Sequence, residues 1–183
     1  MKSFLQIFCF VLTSLAFHAN AQVFNNLDWY NTDSLLKIIQ VQEGTERVNT
    51  LNRMASSLSY EDFDRSMEYA KEAYALAEKL NCIEGIAYAE RNLGHIYYYD
   101  GNYPQALNHY WDALHRFEEL NNLRMVALAY KDLATTHLYG NNFEKAMELG
   151  EESIRVFKLE VEKGKTVGSV LDTMRIRSGQ GLI

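Results

Sequence analysis

Apolar and polar residues follow one another along most of this chain with the spacing of amphipathic helices. Within residues 47–160, apolar side chains recur three or four positions apart, as on one face of a helix. The pattern breaks at Asp62-Phe63, Asn102-Tyr103 and Asn142-Phe143, where an Asp or Asn precedes an aromatic residue. Asp and Asn are favoured helix N-caps, so each break predicts the start of a new helix.

The helical pattern repeats every 40 residues. Five positions that show this repeat are Ala87, Leu93, Asn102, Ala106 and Phe117, which recur as Ala127, Leu133, Asn142, Ala146 and Phe157. One period upstream, the corresponding residues include Asp62, Phe63, Ser66 and Ala73. Three units of two helices therefore share one frame. An isolated helix pair cannot bury both of its faces, so such units stack into a superhelix with contacts between neighbours.

Small residues indicate how the two helices of a unit pack together. Ala106 and Ala113 lie seven residues apart, and therefore on one helix face, where they permit close approach of the partner helix. Larger apolar side chains fill the space around them, namely Leu93, Tyr97, Tyr110 and Phe117. The predicted fold class is all-α, a superhelical solenoid of antiparallel helix pairs.

The second unit resembles the tetratricopeptide repeat (TPR) family. Residues that match the family signature at its internal spacing are Leu93-Gly94, Tyr97, Ala106, Tyr110 and Ala113. The third unit departs from the signature at Ala134, His137 and Gly150, and the first has Met54-Ala55 at the Leu-Gly position. The resemblance implies a right-handed superhelix over residues 47–160 whose concave surface binds a protein or peptide, and it implies no enzymatic activity.

The first 21 residues have the organisation of a secretory signal peptide. Lys2 is followed by an apolar run from Phe4 to Phe17 and by Ala19-Asn20-Ala21, a small-x-small cleavage site. The run is too short to cross a bilayer of about 30 Å comfortably, although a retained membrane anchor is the alternative. We expect residues 1–21 to be removed, the protein to be exported to the periplasm or secreted, and the mature chain to have no membrane span.

Removal of this segment also removes Cys9 and leaves Cys82 as the one cysteine. A single cysteine cannot form an internal disulfide, so we interpret Cys82 as a small, half-buried residue, with intermolecular pairing or reactivity as the alternative. Residues 22–46 form an N-terminal segment in which 33–39 predict a short capping helix. Residues 161–183 are interpreted as a partial or degraded fourth repeat, with a natural irregular cap as the alternative.

The order of these segments resembles the periplasmic input regions of sensor histidine kinases and helix-turn-helix regulators in Bacteroidetes-type bacteria. In those proteins a transmembrane helix and a cytoplasmic output domain follow the TPR units. The resemblance therefore leaves two functions open. The first is a free-standing scaffold for a protein or peptide, and the second is a truncated extracytoplasmic input domain with a role in signal transduction.

Composition and motifs limit the kinds of ligand and reaction that we expect for this chain. The chain has 183 residues, with 18 basic against 24 acidic side chains and a net charge of −6, which argues against an extended nucleic-acid surface. It shows no phosphate-binding glycine cluster and no nucleophile motif. His109 and His115 are six residues apart and thus poorly placed to share a metal ion. We predict no catalytic residues, no metal site and no cofactor, and the sequence does not indicate an oligomeric state.

Candidate binding residues follow from the TPR resemblance, because in that family the first helix of each pair lines the concave surface. The corresponding residues here are Asn52, Arg53, Tyr88, Arg91, Asn92, His95, Tyr98, Lys131, Asp132 and Thr135. Arg53, Arg91 and Lys131 would form a basic line suited to a peptide with acidic or carboxylate groups. Ordinary solvated basic side chains are the alternative interpretation of that line.

Overall fold

The computed structural model describes the backbone of residues 32–177 and the side chains of residues 34–164. This part of the chain consists of seven helices joined by short turns. These helices are α1 (Thr32–Ile39), α2 (Gly44–Leu58), α3 (Phe63–Lys79), α4 (Ile83–Tyr99), α5 (Tyr103–Glu119), α6 (Leu123–Tyr139) and α7 (Phe143–Arg177). No strand occurs within this range, and the predicted all-α solenoid of helix pairs is confirmed. The predicted signal peptide, residues 1–21, lies outside the described residues.

The helices begin where the N-cap pattern predicts. Oδ1 of Asp62, Asn102 and Asn142 accepts a hydrogen bond from the backbone N–H three residues later, at 3.2, 3.4 and 3.3 Å. These bonds satisfy amide groups that have no partner within the helix. Asn122 caps α6 in the same way at 3.2 Å, a fourth cap that the sequence pattern alone did not single out.

Left-handed residues allow the helices to follow one another through three-residue turns. Asn81, Asn121 and Asn141 have φ of 52°, 53° and 60°, and Gly101 has φ of 77°. Asn and Gly are the residues that adopt this conformation at least cost. Asn81 and Asn121 are one period apart, as are Gly101 and Asn141, so the turns repeat with the helices.

Small residues hold the two helices of each pair close together. Ala106 and Ala113 are fully buried, as predicted. Gly94 faces the ring of Tyr110 so closely that an added Cβ would lie 2.5 Å from ring carbon Cε1. Glycine at this position therefore permits the close approach of α5 to α4.

Serine replaces alanine at two of these contact positions and adds a hydrogen bond. The buried Ser66 hydroxyl donates to the carbonyl oxygen of Ala55 at 2.7 Å, and Ser153 donates to that of Ala127 at 2.8 Å. Each bond joins the second helix of a unit to its first helix.

The two ends of the solenoid differ. At the N-terminal end, the segment of the expected capping helix forms α1, which buries Leu35 and Ile39 in a cluster with Leu51 and Met54. At the other end, α7 has 35 residues, whereas α3, α4, α5 and α6 have 17 each. None of the helices in the described range is long and apolar enough to cross a membrane.

Residues 161–177 continue α7 without a break. The interpretation of residues 161–183 as a partial or degraded fourth repeat stays a prediction. The segment Glu160-Val161-Glu162-Lys163 has neither a left-handed Asn or Gly nor an Asn or Asp N-cap that would end the helix and begin another. Its residues mostly favour continued helix.

Candidate functional site

The first helices of the three pairs, α2, α4 and α6, carry the predicted binding residues, which line two cavities. The first cavity, of about 390 Å³, lies between α2 and α4 and includes Asn52, Arg53, Tyr88, Arg91 and Asn92 in its lining. The second, of about 170 Å³, includes His95, Tyr98, Lys131, Asp132 and Thr135. The structure thus divides the ten residues into two groups of five. Their role in binding a ligand stays a prediction.

Three buried polar residues run across the solenoid at one position of the 40-residue frame. Asn52, Asn92 and Asp132 are each only 6% exposed. The Asn92 side-chain amide donates to the Asn52 carbonyl oxygen at 2.8 Å and to its side-chain oxygen at 3.1 Å. Asn52 in turn donates to the backbone oxygen of Gly85 at 3.0 Å. These bonds fix α2 against α4, because buried polar groups need partners.

Asp132 joins α6 to α4 through Arg91 and His95, and it also contacts Lys131 on its own helix. Its Oδ2 accepts hydrogen bonds from Arg91 Nε at 2.7 Å and lies 3.2 Å from His95 Nε2. The Lys131 ammonium lies 2.9 Å from Oδ1. Burial would raise the pKa of Asp132, but the hydrogen bond with His95 and the charges of Arg91, His95 and Lys131 outweigh it. The pKa of Asp132 therefore falls below its ordinary value.

The predicted basic line is therefore partly neutralised within the chain. Arg91 is 18% exposed and forms an ion pair with Asp132, and Lys131 shares the same carboxylate. Neither is therefore an independent positive charge, and Arg91 is largely buried, whereas Lys131 is 54% exposed and remains a solvated side chain. The signal in the sequence was Asp132 itself, which carries a charge where the other two units have Asn52 and Asn92.

Two predicted tyrosines are anchored by other aromatic rings. The half-buried Tyr88 packs edge-on against Phe117, with ring centroids 5.3 Å apart. Tyr98 packs edge-on against Tyr99 and Tyr139, at 5.2 and 5.7 Å. Burial, the charge of Tyr139 and a hydrogen bond with it raise the pKa of Tyr98 to about 12. Such rings present a rigid, partly apolar surface to the cavities.

Tyr110 lines the second cavity, although the sequence pattern placed it in the core. It is 2% exposed, and its ring packs against Gly94 and edge-on to His95 at 5.5 Å. Burial and the nearby carboxylate of Asp132 raise the pKa of Tyr110. Sequence periodicity alone identifies the ring as buried but says nothing about its hydroxyl.

Other residues also line the cavities. They are Asn49, Ser56 and Glu84 in the first cavity and Tyr99 in the second, and of these Asn49 and Glu84 were not predicted from the sequence. Among residues 34–164, no three His, Cys, Asp or Glu side chains converge as a metal ion would require. The contacts available to a ligand are hydrogen bonds, ionic contacts and aromatic surface.

The sequence of the second and third helix pairs matches a known protein family. Residues 85–158 match the tetratricopeptide repeat. The TPR resemblance is thereby confirmed, whereas the resemblance to sensor input regions stays a prediction. A solved structure that aligns with this one is BtubC (BKLC) from P. vanneervenii, with 14% identity, a TM-score of 0.49, and 73% of this chain and 75% of that chain covered. No curated protein sequence matches.

The TPR match includes the whole lining of the second cavity, because residues 95–135 fall within it. The first cavity combines TPR residues of α4 with residues of α2, which precedes the matched range. TPR units are protein-interaction modules, so the fold supports a role in protein binding.

Proposed function

We propose that this protein is an exported, non-catalytic TPR scaffold that binds an extended peptide segment of a partner protein. The observation that supports this most directly is the pair of cavities on α2, α4 and α6, lined by amide, cationic and aromatic side chains. Extended superhelical surfaces of repeat proteins bind ligands in this way. The cavities offer hydrogen-bonding groups along a line, which suits a peptide backbone better than a compact small molecule.

The peptide carries acidic or carboxylate groups. Arg53 and Arg91 both line the first cavity. Arg91 contacts Asp132 through Nε, and a guanidinium has five N–H donors, so one contact does not exhaust it. Guanidinium groups hold carboxylates through two parallel hydrogen bonds. Glu84 at the edge of the same cavity limits the number of acidic groups that it accepts.

Export is supported by the organisation of residues 1–21, namely a basic residue, an apolar run and a small-x-small site. Mass spectrometry of the protein isolated from its own cells tests this part. We expect an N-terminus at Gln22 and recovery in the periplasmic or secreted fraction. An intact N-terminus in the cytoplasmic fraction would contradict it.

A peptide array tests the binding function. The probes are blocked decapeptides that differ in the number and position of Glu residues. Neutralisation by Arg53→Gln or Lys131→Gln should lower affinity for Glu-containing peptides about tenfold, because hydrogen bonds to charged groups contribute most to such contacts. Lys71→Gln on the exposed side of α3 is the matched control and should bind as the unmodified protein does.

Charge neutralisation is preferable to charge reversal here. A reversal at Arg91 would place a second carboxylate against the buried Asp132, so loss of binding could then reflect loss of folding. Circular dichroism should show equal helix content for all three variants. Equal affinity of Arg53→Gln, Lys131→Gln and Lys71→Gln for the same peptides would refute the proposed role of the groove.

The second candidate function is an extracytoplasmic input domain of a sensor or regulator. The feature that favours it is α7, which is about twice as long as the preceding helices and extends past them. A rigid helix of this length suits transmission of a change from the groove to another domain. Sequencing of the reading frame beyond Ile183 tests it: a transmembrane segment and an output domain in frame would favour this function over a free-standing scaffold.

A further inference from the structure

One face of α7 is apolar and open to solvent at the C-terminal end of the solenoid. Met147, Ile154 and Val161 follow one another at intervals of seven residues, so they form a single row along the helix. They are 69%, 57% and 49% exposed. A cavity of about 360 Å³ lies along this row and is lined by Ile154, Phe157, Lys158, Val161 and Glu162. Contiguous exposed apolar surface of this kind marks an interaction site, which a single exposed residue does not.

The 40-residue frame identifies the α7 row as a surface that neighbouring units use for stacking. Ile154 corresponds to Leu114 of the second unit, which is only 1% exposed and packs in one cluster with residues of α6. Met147 corresponds to Leu107, which is partly buried against the same cluster. In the described range no helix pair follows α7, so the third unit presents this stacking surface uncovered.

The opposite end of the described solenoid is closed. Helix α1 covers the first pair there and buries Leu35 and Ile39 in a cluster with Leu51 and Met54 of α2. The described residues therefore offer no open stacking surface at that end to receive the α7 row of a second copy, and head-to-tail stacking is disfavoured. Two α7 rows can instead cover each other, and symmetric contacts of this kind are the commonest in homodimers.

The α7 row is complementary to itself when two copies run antiparallel. With the two-fold axis midway between residues 155 and 156, Ile154 faces Phe157 of the second copy and Val161 faces Gly150 of the second copy. A Cβ added at Gly150 would meet nothing within 4 Å, so the surface beside this glycine has room for a larger side chain. Large side chains thus meet either an aromatic ring or an open position, as interdigitating helices require.

Charges beside the row favour the same arrangement. Glu151 and Lys158 are both exposed and lie seven residues apart, on one edge of the row. In the antiparallel register, Glu151 of each copy lies about two residues, or about 3 Å along the helix axis, from Lys158 of the other. The two-fold axis therefore creates two equivalent ion pairs. Such pairs at the edge of a contact select the partner and the register.

We propose that this protein forms a symmetric dimer through the α7 row, with the two α7 helices antiparallel. The inference does not depend on peptide binding, because the groove lies on α2, α4 and α6. In this register residues 143–168 of the two helices overlap over about 39 Å. A strip of that length and about 10–12 Å wide covers roughly 800 Å² on the two copies together, which is at the low end for a specific interface. The dimer is therefore weak, with a dissociation constant in the micromolar range.

Sedimentation equilibrium of the purified protein from about 5 to 500 µM tests the dimer. The mass should rise with concentration from that of one chain to that of two chains and then stay constant. A reductant keeps Cys82 from linking two copies covalently. A mass of one chain at every concentration would overturn the proposal. A mass that rises beyond two chains would also overturn it, because open-ended stacking is not a closed symmetric contact.

Ile154→Glu is the decisive variant, because it places a charge in the middle of the row. It should weaken dimerisation at least tenfold, since the charge loses water in the contact without gaining a partner. Ile38→Glu is the matched control: Ile38 is 42% exposed on α1, at the other end of the solenoid, and its substitution should leave the dissociation constant unchanged. Circular dichroism should show equal helix content for both variants. Loss of the dimer in Ile38→Glu but not in Ile154→Glu would overturn the assignment of the contact to α7.

Exchange of the two flanking charges tests the antiparallel register. Glu151→Lys or Lys158→Glu alone should weaken the dimer about fivefold, because each brings like charges together at both equivalent positions. The double variant has opposite charges in contact again, and its dissociation constant should return to within about twofold of that of the unmodified protein. A double variant that is weaker than either single variant would refute this register.

Discussion

Replacing Asp132 by asparagine tests how α6 is held against α4. The carboxylate is 6% exposed and contacts Arg91 at 2.7 Å, His95 at 3.2 Å and Lys131 at 2.9 Å. Asp132→Asn preserves the shape of the side chain and one acceptor oxygen but removes its charge. It also gives the third unit the residue that the first two have at this position, Asn52 and Asn92.

The expected loss of stability at pH 7 is about 2–4 kcal/mol. A hydrogen bond to a charged group contributes about 1.5–3 kcal/mol. Loss of one member of a buried ion pair costs about 3–5 kcal/mol, because the other member stays buried without its counter-ion. Arg91 retains 18% exposure and the asparagine oxygen can still accept, so the lower part of the combined range applies.

The pH dependence separates this ionic contribution from packing. The folded-state pKa of Asp132 lies below its ordinary value of 3.8, so the folded protein favours the ionised form. The resulting stabilisation is present above about pH 4 and is lost as the pH falls through the folded-state pKa. The difference between the unmodified protein and Asp132→Asn should therefore shrink at pH 3, although both proteins lose stability in acid.

Urea unfolding followed by circular dichroism at pH 7 and at pH 3 measures this difference. Asp112→Asn is the matched control, because Asp112 is exposed on α5, and it should change stability by less than about 0.5 kcal/mol. Equal stability of Asp132→Asn and the unmodified protein at pH 7 would refute the ionic link between α4 and α6. A difference that is the same at both pH values would assign the effect to packing instead.

Two further substitutions test the packing of the helix pairs. Gly94→Ala should destabilise the protein by about 1–3 kcal/mol, because its Cβ would lie 2.5 Å from the Tyr110 ring. The control Gly150→Ala meets nothing within 4 Å and should stabilise the protein by up to about 1 kcal/mol through helix propensity. Melting temperatures that shift in the same direction for both variants would contradict this. Ala106→Leu at the fully buried α4–α5 contact should also lower the free energy of unfolding by about 1–3 kcal/mol. The control Gln105→Leu, on the exposed side of the same helix, should not. An unchanged melting temperature for Ala106→Leu would contradict the 40-residue frame.

Most of the fold could be predicted because its determinants are local. An N-cap such as Asn102 and the small residues Ala106 and Ala113 act within a few residues or across one helix pair, so their spacing is visible in the sequence. The length of α7 was not predicted. The chain after Leu159 carries helix formers and no stop signal, so the helix continues, and the repeat pattern alone does not reveal this.

The candidate site was predictable in position and less so in chemistry. The repeat frame places residues such as Asn92 and Asp132 on the groove side of their helices. It does not indicate that Arg91 is paired with Asp132, 41 residues away, because the choice of ionic partner depends on how neighbouring units stack. The frame also identified Tyr110 as a core aromatic, and periodicity cannot show that this buried residue also lines a cavity.

The contact between neighbouring units has a kinetic consequence. Even the bond that links α4 to α6 joins residues only 41 positions apart, and Asn52 and Asn92 are 40 positions apart. Folding rates fall as the mean sequence separation of contacting residues rises, and helical proteins with local contacts fold fastest. This chain should therefore fold quickly, starting from any one helix pair, and loss of the bonds at Asp132 should accelerate unfolding of the last pair more than it slows folding.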